Sequence, residues 1–268
     1  MRQFIAREPL FSDGTLRVTG SDFRYLKHVL RLQNGDMLSV RLPSGALVAM
    51  TAAQIDSAGR SITLQICADT PNAHFVSEHG AKTETLGTEL WLFQFIAKPQ
   101  KMDLIIRQAT ECGVQLIVPV IGEYCEKGAI NAVLSSGKSE RWERVIREAL
   151  SQCGSAVQTR VEKPMTVTEA AAFWKNASGG IALALYERGE HTKSLHQALG
   201  AENEANRVCL AVGAEGGISP AEIAILSESG FFTIHFETNI LRCETAALYG
   251  IAAVQSALSE RKVWQFKE

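Results

Sequence analysis

V-C-L-A-V-G-A-E-G-G-I-S-P, Val208 to Pro220, reads as an apolar strand, a glycine turn and the start of a helix. F-F-T-I-H-F-E-T-N-I-L-R-C-E-T-A-A, Phe231 to Ala247, is a second apolar run that leads through a polar loop into another helix. Two strand ends, each followed by a loop and a helix, form a ligand crevice in an α/β sheet. Gly213, Gly216 and Gly217 let the backbone approach a bound molecule closely and adopt positive φ. Ser219, Pro220 and Glu222 predict an N-cap, a proline at the first helical position and a capping-box acid.

The letters of this loop exclude two familiar ligands. A Walker phosphate loop follows its glycines with G-K-[ST], and no lysine lies between Lys193 and Lys262. The dinucleotide fingerprint G-x-G-x-x-G does not fit the spacing of Gly213, Gly216 and Gly217. Glu215, an acid in mid-loop, opposes an anionic pyrophosphate and suits a ligand with a cationic or neutral end.

Outward from the two loops, the punctuation gives the organisation. From Glu89 onward strands and helices alternate: strands at Leu90–Ala97, Leu116–Val120, Ile181–Tyr186, Val208–Val212 and Phe231–Phe236, helices at Gln100–Cys112, Glu140–Gln152 and Glu244–Val263. That alternation predicts a mostly parallel sheet. Helix Gln100–Cys112 puts Met102, Ile105, Ile106, Ala109 and Cys112 on one face, and Gly113 stops it. Residues 71–88 read as a linker. Before it, short strands at Met37–Leu42, Ala46–Ile55 and Ser61–Ala68, with turns at N-G-D, P-S-G and S-A-G, suggest a small β-barrel.

A capped helix is expected between Ser21 and Gln33. It sets Arg24, Lys27, His28 and Arg31 on one arc and Phe23, Leu26, Val29, Leu30 and Leu32 on the other. With a net charge of −2, the chain can meet a polyanion only through a local basic surface of this kind. A solvated amphipathic helix is the plainer reading of the same letters. Lys98 and Lys101, just after a strand end, are placed for phosphate contact.

Hydrophobic residues make up 46 % of 268, enough for a sizeable core, and no apolar run approaches bilayer length. The opening M-R-Q-F-I-A-R-E-P lacks the apolar segment of a signal peptide. The cysteines (67, 112, 125, 153, 209, 243) are scattered, with no C-x-x-C pair. That predicts reduced thiols in a cytoplasmic protein, no metal site and no membrane partner.

The two loops together resemble a known family. G-x-E-G-G-[IFL]-S, followed after a strand by I-L-R-x-E-T-A-A, is similar to the signature of the RsmE family of SPOUT-class methyltransferases. Y-L-K-H-V-L-R-L (Tyr25 to Leu32) matches its H-V-L-R element. K-P-Q-K-M-D-L-I-I-R-Q-A-T-E-C-G-V (Lys98 to Val114) and R-W-E-R-V-I-R-E-A-L-S-Q-C-G (Arg141 to Gly154) resemble two further family stretches. The resemblance implies a SPOUT-type, trefoil-knotted α/β domain over residues 89–268 and a PUA-like RNA-binding barrel over residues 1–70. It also implies S-adenosylmethionine as cofactor, N3 of a uridine in 16S ribosomal RNA as acceptor, and a homodimer whose second subunit completes the site. The cofactor contacts carried over are Leu185, Gly213, Glu215, Gly216, Gly217, Phe236, Asn239, Ile240, Leu241, Arg242 and Thr245. The chain departs from the family pattern at Ala214 (usually Pro), Cys243 (Thr), Glu237-Thr238-Asn239 (Gly-Pro-Arg), Ser151 (Glu) and Ser155 (Arg).

Uridine N3 carries a proton, so methylation there needs a base, or a cation that stabilises the developing anion. Arg242 is the first candidate cation; the alternative is a salt bridge that braces its loop. Glu215 and Glu244 are candidates for a base or for positioning the donor. The helix dipole alone also explains Glu244, and Thr245 could be a capping hydroxyl. His191, His196 and His235 are too scattered for a triad, and Trp91, Trp142 and Trp174 fall on core positions. Two other readings stay open: a SPOUT ribose 2′-O-methyltransferase acting on transfer or ribosomal RNA, and a non-catalytic RNA-binding relative.

Overall fold

The computed structural model describes residues 3–67, 87–135, 137–177, 179–188, 192–200 and 205–264. Most of the expected linker, and His191, lie outside the described residues. The chain divides into two compact units, one within residues 1–83 and 150–156, the other within 84–149 and 157–268.

The first unit holds β1 (Phe4–Ile5), β2 (Thr15–Thr19), α1 (Gly20–Arg24), a π-helical turn (Tyr25–Val29), β3 (Met37–Arg41), β4 (Leu47–Asp56) and β5 (Ser61–Ile66). Its sheet runs in the order β1-β3-β4-β5-β2, antiparallel except for β1 on β3. The edge strands β1 and β2 do not pair with each other, so the sheet curls without closing among the described residues. A register shift between Ala52 and Gln54 marks a bulge in β4, a device that bends a strand. Period-two alternation sends Leu16 and Val18 of β2 inward, with Phe4, Val40, Met50, Ile62 and Leu64.

The basic segment differs from the expected regular helix. Its N-cap is Thr19, with no side-chain hydrogen bond, and α1 gives way after one turn to the π turn. Leu30 N donates to Tyr25 O (3.0 Å) and Leu32 N to Leu26 O (3.0 Å), with Arg31 left-handed at φ 56 between them. A π turn carries an extra residue, so everything after it slips round the axis. Val29, expected inside, is therefore 59 % exposed, while Phe23 and Leu26 stay buried. Arg24, His28 and Arg31 are exposed and Lys27 is half-buried. Ser151 serves inside this unit. Its hydroxyl donates to Gln3 O at 2.5 Å and lies 3.4 Å from the Tyr25 hydroxyl.

The remaining elements are β6 (Glu89–Phe95), α2 (Pro99–Glu111), β7 (Leu116–Ile121), α3 (Lys127–Leu134), α4 (Lys138–Cys153), β8 (Arg160–Val161), β9 (Met165–Thr166), α5 (Val167–Asn176), β10 (Ile181–Leu185), α6 (Leu195–Leu199), β11 (Arg207–Val212), α7 (Pro220–Glu228), β12 (Phe231–Ile234) and α8 (Cys243–Trp264). The second unit's sheet is wholly parallel, in the order β12-β10-β11-β6-β7-β8, with β9 also on β7. Its central strands are buried along their length, which is why they read as unbroken apolar runs. Trp91 stacks on Phe173 at 5.6 Å, and Trp174 meets Phe231 at 6.0 Å, so these tryptophans are core.

The strand order positions the site. β11 and β12, which carry the two diagnostic loops, are not neighbours; β10 lies between them. The carboxyl ends of all three strands therefore open side by side. No helix among the described residues is long and apolar enough to cross a membrane.

Candidate active site

The glycine loop is fixed from several sides. Gln94, fully buried in β6, donates through Nε2 to Val212 O (3.3 Å) and Gly213 O (3.2 Å). Gly217 N then donates to Ala214 O at 3.0 Å, folding the loop back on itself. A Cβ on Gly213 would lie 2.6 Å from the Gly217 carbonyl carbon, so no side chain fits there. Gly217 has φ +79, and a Cβ on it would sit 3.2 Å from both carboxylate oxygens of Glu187.

The helix start is built as expected. Ser219 caps α7 by accepting from Glu222 N (3.3 Å), and Glu222 accepts from Ser219 N (2.8 Å). The other oxygen of Glu222 accepts from Glu123 N at 2.7 Å. This buried carboxylate thus joins the turn after β7 to the loop after β11. Tyr124 of that turn packs so close to Gly216 that a Cβ there would be 2.7 Å from the Tyr124 Cβ.

The second loop is more open. Its internal bonds are Thr238 N to Phe236 O (2.7 Å) and Thr238 Oγ1 to Asn239 O (3.0 Å). Phe236 anchors it edge-on against Tyr249 of α8, with ring centroids 5.0 Å apart. Ile240 at its tip is 87 % exposed. Arg242 is also exposed, and among the described residues no carboxylate pairs with its guanidinium.

These ends enclose a crevice of about 540 Å³, inside the range of small-molecule sites. Of the residues expected at a cofactor, Leu185, Gly213, Glu215, Gly216, Gly217, Phe236, Asn239, Ile240, Leu241 and Arg242 line it. Thr245 does not; it is exposed in the first turn of α8. Glu187, His235 and Lys101 line the crevice without having been expected there. The His235 ring nitrogen Nδ1 lies 3.0 Å from Tyr186 O, which orients the imidazole. Lys98, at the N-cap of α2, reaches Glu126 at 3.6 Å. Arg24, Lys27, His28 and Arg31 belong to the other unit.

One charged cluster stands at the crevice wall. Lys101 Nζ lies 3.1 Å from Glu244 Oε2 and 3.4 Å from Glu215 Oε1, and Glu215 Oε1 also accepts from Lys98 N at 3.2 Å. The Cys243 thiol donates to Glu244 Oε2 at 3.2 Å. Burial, reinforced by that hydrogen bond and by the charge of Glu215, pushes the thiol up to about 12, so it is a neutral donor. Burial pushes the Glu244 carboxyl up as well. Its own backbone N–H, Lys101 and the thiol outweigh this and hold it below the ordinary carboxylate value. Burial alone would lower the Lys101 ammonium, but Glu244, Cys243 and Glu215 raise it above its ordinary value. Among the described residues no group of histidine, cysteine and acidic side chains is placed to hold a metal.

Gln94 was the missed residue with a visible signal, a single amide in the otherwise apolar L-W-L-F-Q-F. Lys101 has the signal of a cation just after a strand end, which points to phosphate and not to the crevice, and Glu187 has none, because strand order rather than local pattern brings it there.

A family model described as an RNA methyltransferase domain matches residues 84–255. The ribosomal RNA small subunit methyltransferase E of Rickettsia conorii is 30 % identical over 234 residues, covering 86 % of this chain and 85 % of that one. The Aquifex aeolicus protein of the same name is 32 % identical over 161 residues, 60 % of this chain and 65 % of its own length. Among solved structures, a ribosomal RNA small subunit methyltransferase E from Neisseria gonorrhoeae, bound to S-adenosyl methionine, superposes with a TM-score of 0.76 at 24 % identity. That match covers 96 % of this chain and 97 % of the other.

Proposed function

This chain belongs to the ribosomal RNA small subunit methyltransferase E family, and on that premise we propose that it methylates 16S ribosomal RNA with S-adenosylmethionine as donor. The observation that carries the reading is the crevice at the ends of β10, β11 and β12, with its side-chain-free glycine cradle. The residues present fit the donor. Leu185, Val212, Phe236 and Ala246 offer apolar wall, and Gly213, Gly216 and Gly217 expose backbone. Glu187 and Glu215 set negative charge beside a ligand that carries a sulfonium and an ammonium.

When bound, S-adenosylmethionine supplies an electrophilic methyl group. The chain's own task is to orient the acceptor, move its proton and exclude water. We place the acceptor atom at uridine N3. The Arg242 guanidinium, without an acid partner among the described residues, is the group for the uracil carbonyl on which negative charge grows. The N3 proton passes to a carboxylate; Glu215 and Glu244 are the candidates, both already held by Lys101. The finer family traits belong to this proposal too. They are a SPOUT trefoil knot through the loops of the second unit, a PUA-like role in RNA binding for residues 1–70, a homodimer, and a cytoplasmic place of work. Arg24, Lys27, His28 and Arg31, with Lys98, are the proposed phosphate contacts.

The test is twofold. Calorimetry with the purified protein should show S-adenosylmethionine binding, and its absence would leave only a non-catalytic relative. Nucleoside mass spectrometry of 16S ribosomal RNA from a deletion strain should lack N3-methyluridine. Loss of a ribose-methylated nucleoside instead would move the acceptor to a 2′ oxygen.

A further inference from the structure

Lys101 stands where a helix does not favour it. It is the third residue of α2, whose first turn contains no acid, and a cation there faces the positive end of the helix dipole. Two carboxylates from separate loops compensate it: Glu215 from the glycine loop at 3.4 Å and Glu244 from the start of α8 at 3.1 Å. Its side chain is 26 % exposed, and those of Glu215 and Glu244 are 31 % and 17 % exposed, so the cluster is shielded from bulk water on most sides. The ammonium also donates to the Cys243 sulfur at 3.8 Å. One ammonium between two carboxylates leaves a net negative cluster. A phosphate would have to displace a carboxylate to reach it, which argues against the phosphate contact expected from its place after a strand end.

We propose that Lys101 is a positioning residue for the methyl donor: by sharing its ammonium between Glu215 and Glu244 it ties the glycine loop to the loop that ends at α8, and so sets the width of the crevice. This rests on the donor assignment above. Without the ammonium the two acids repel, and among the described residues Glu215 keeps its bond to Lys98 N. The glycine loop holds its shape through Gln94 and Glu222, so the looser 236–242 segment takes up the movement.

The experiment uses the full chain with S-adenosylmethionine and a 16S ribosomal RNA transcript as separate probes. Lys101→Met should weaken donor affinity by about tenfold or more, leave RNA affinity within about twofold, and raise the donor KM by a larger factor than it lowers kcat at saturating donor. Lys101→Arg, which keeps the charge, should recover most of the loss, as a purely steric role would not predict. If Lys101→Met does not fold, Glu244→Gln, at the arm that does not line the crevice, loosens the tie and should weaken the donor by about threefold. Donor affinity equal to wild type in either variant would overturn the proposal, as would a loss confined to RNA binding. Failure of the wild-type protein to bind the donor is a different outcome, and would remove the donor assignment itself.

Discussion

The two loops that form the crevice are made differently. The one after β11 is held at its root by Gln94, across its middle by the Gly217–Ala214 bond, and at its exit by Ser219 and Glu222. The one after β12 hangs between Phe236, packed on Tyr249, and Glu244, paired with Lys101, and its tip residue Ile240 is 87 % exposed. The first loop is preorganised: a ligand meets backbone already in place and spends little binding free energy ordering it. The second carries Arg242, the group proposed to act on the acceptor, on a segment that has room to close.

The two loops differ most at Gly213. Gly213→Val puts atoms into the space held by the Gly217 backbone, 2.6 to 2.9 Å from a Cβ. Donor binding by calorimetry should vanish, whereas Asn239→Ala in the open loop should leave it measurable. Equal behaviour of the two variants would mean the loops are not built differently. Arg242→Ala is the next largest. Turnover should fall about a hundredfold, as for other lost charge-stabilising groups, while RNA still binds. An unchanged rate would make the arginine a bystander and send the search for a catalytic cation elsewhere.

How far the sequence reached follows from the same contrast. The glycine loop and its cap were legible because local rules write them: Gly213 and Gly217 for close approach and positive φ, Ser219, Pro220 and Glu222 for a helix start. Glu187 was not legible, since it reaches the crevice through a strand order that places β10 between β11 and β12, and Lys101 was legible only as a cation after a strand end, because its path to the crevice runs through β6 lying beside β11. The bulged sheet of the first unit was half legible: β1, at two residues, is too short for alternation to show, and β2 alternates but lies apart from the three strands that follow the basic segment. The basic segment shows the opposite error. Its apolar spacing fits a regular helix, but the π turn moves Val29 outward, and no residue in Tyr25–Val29 announces that turn.

Glu222 tests how much of the glycine loop's rigidity is structural. It accepts two backbone N–H groups, Ser219 and Glu123, in a nearly buried position. Glu222→Ala leaves both without that acceptor and should cost about 1–3 kcal/mol of stability by denaturant titration. An unchanged midpoint would show that water replaces the carboxylate. Glu244 supplies a smaller effect through pH. Its folded pKa lies below the ordinary 4.5, so its pairing contributes fully above that value and is lost as pH falls through the lower folded one. Its contribution to stability should therefore be flat from neutral pH down to about 5, and a loss of stability well above that range would assign the titration to another group.

The smallest expected effect lies in the other unit, at Arg31. Its φ of 56 puts it where a helix end favours glycine, and a bulkier residue there costs on the order of 1 kcal/mol. Such a cost is often retained where the side chain has work to do. Arg31→Gly separates the two roles. It relieves the strained backbone, so the melting temperature should stay level or rise slightly, and it removes one proposed phosphate contact. RNA affinity should then fall a few-fold, and the slope of log affinity against log salt should shrink by about one unit. Donor affinity, set in the crevice, should not change. If RNA binding keeps its wild-type value and slope across salt, the basic arc is a solvated face, and the RNA contacts must be sought around Lys98 and the open loop of the second unit.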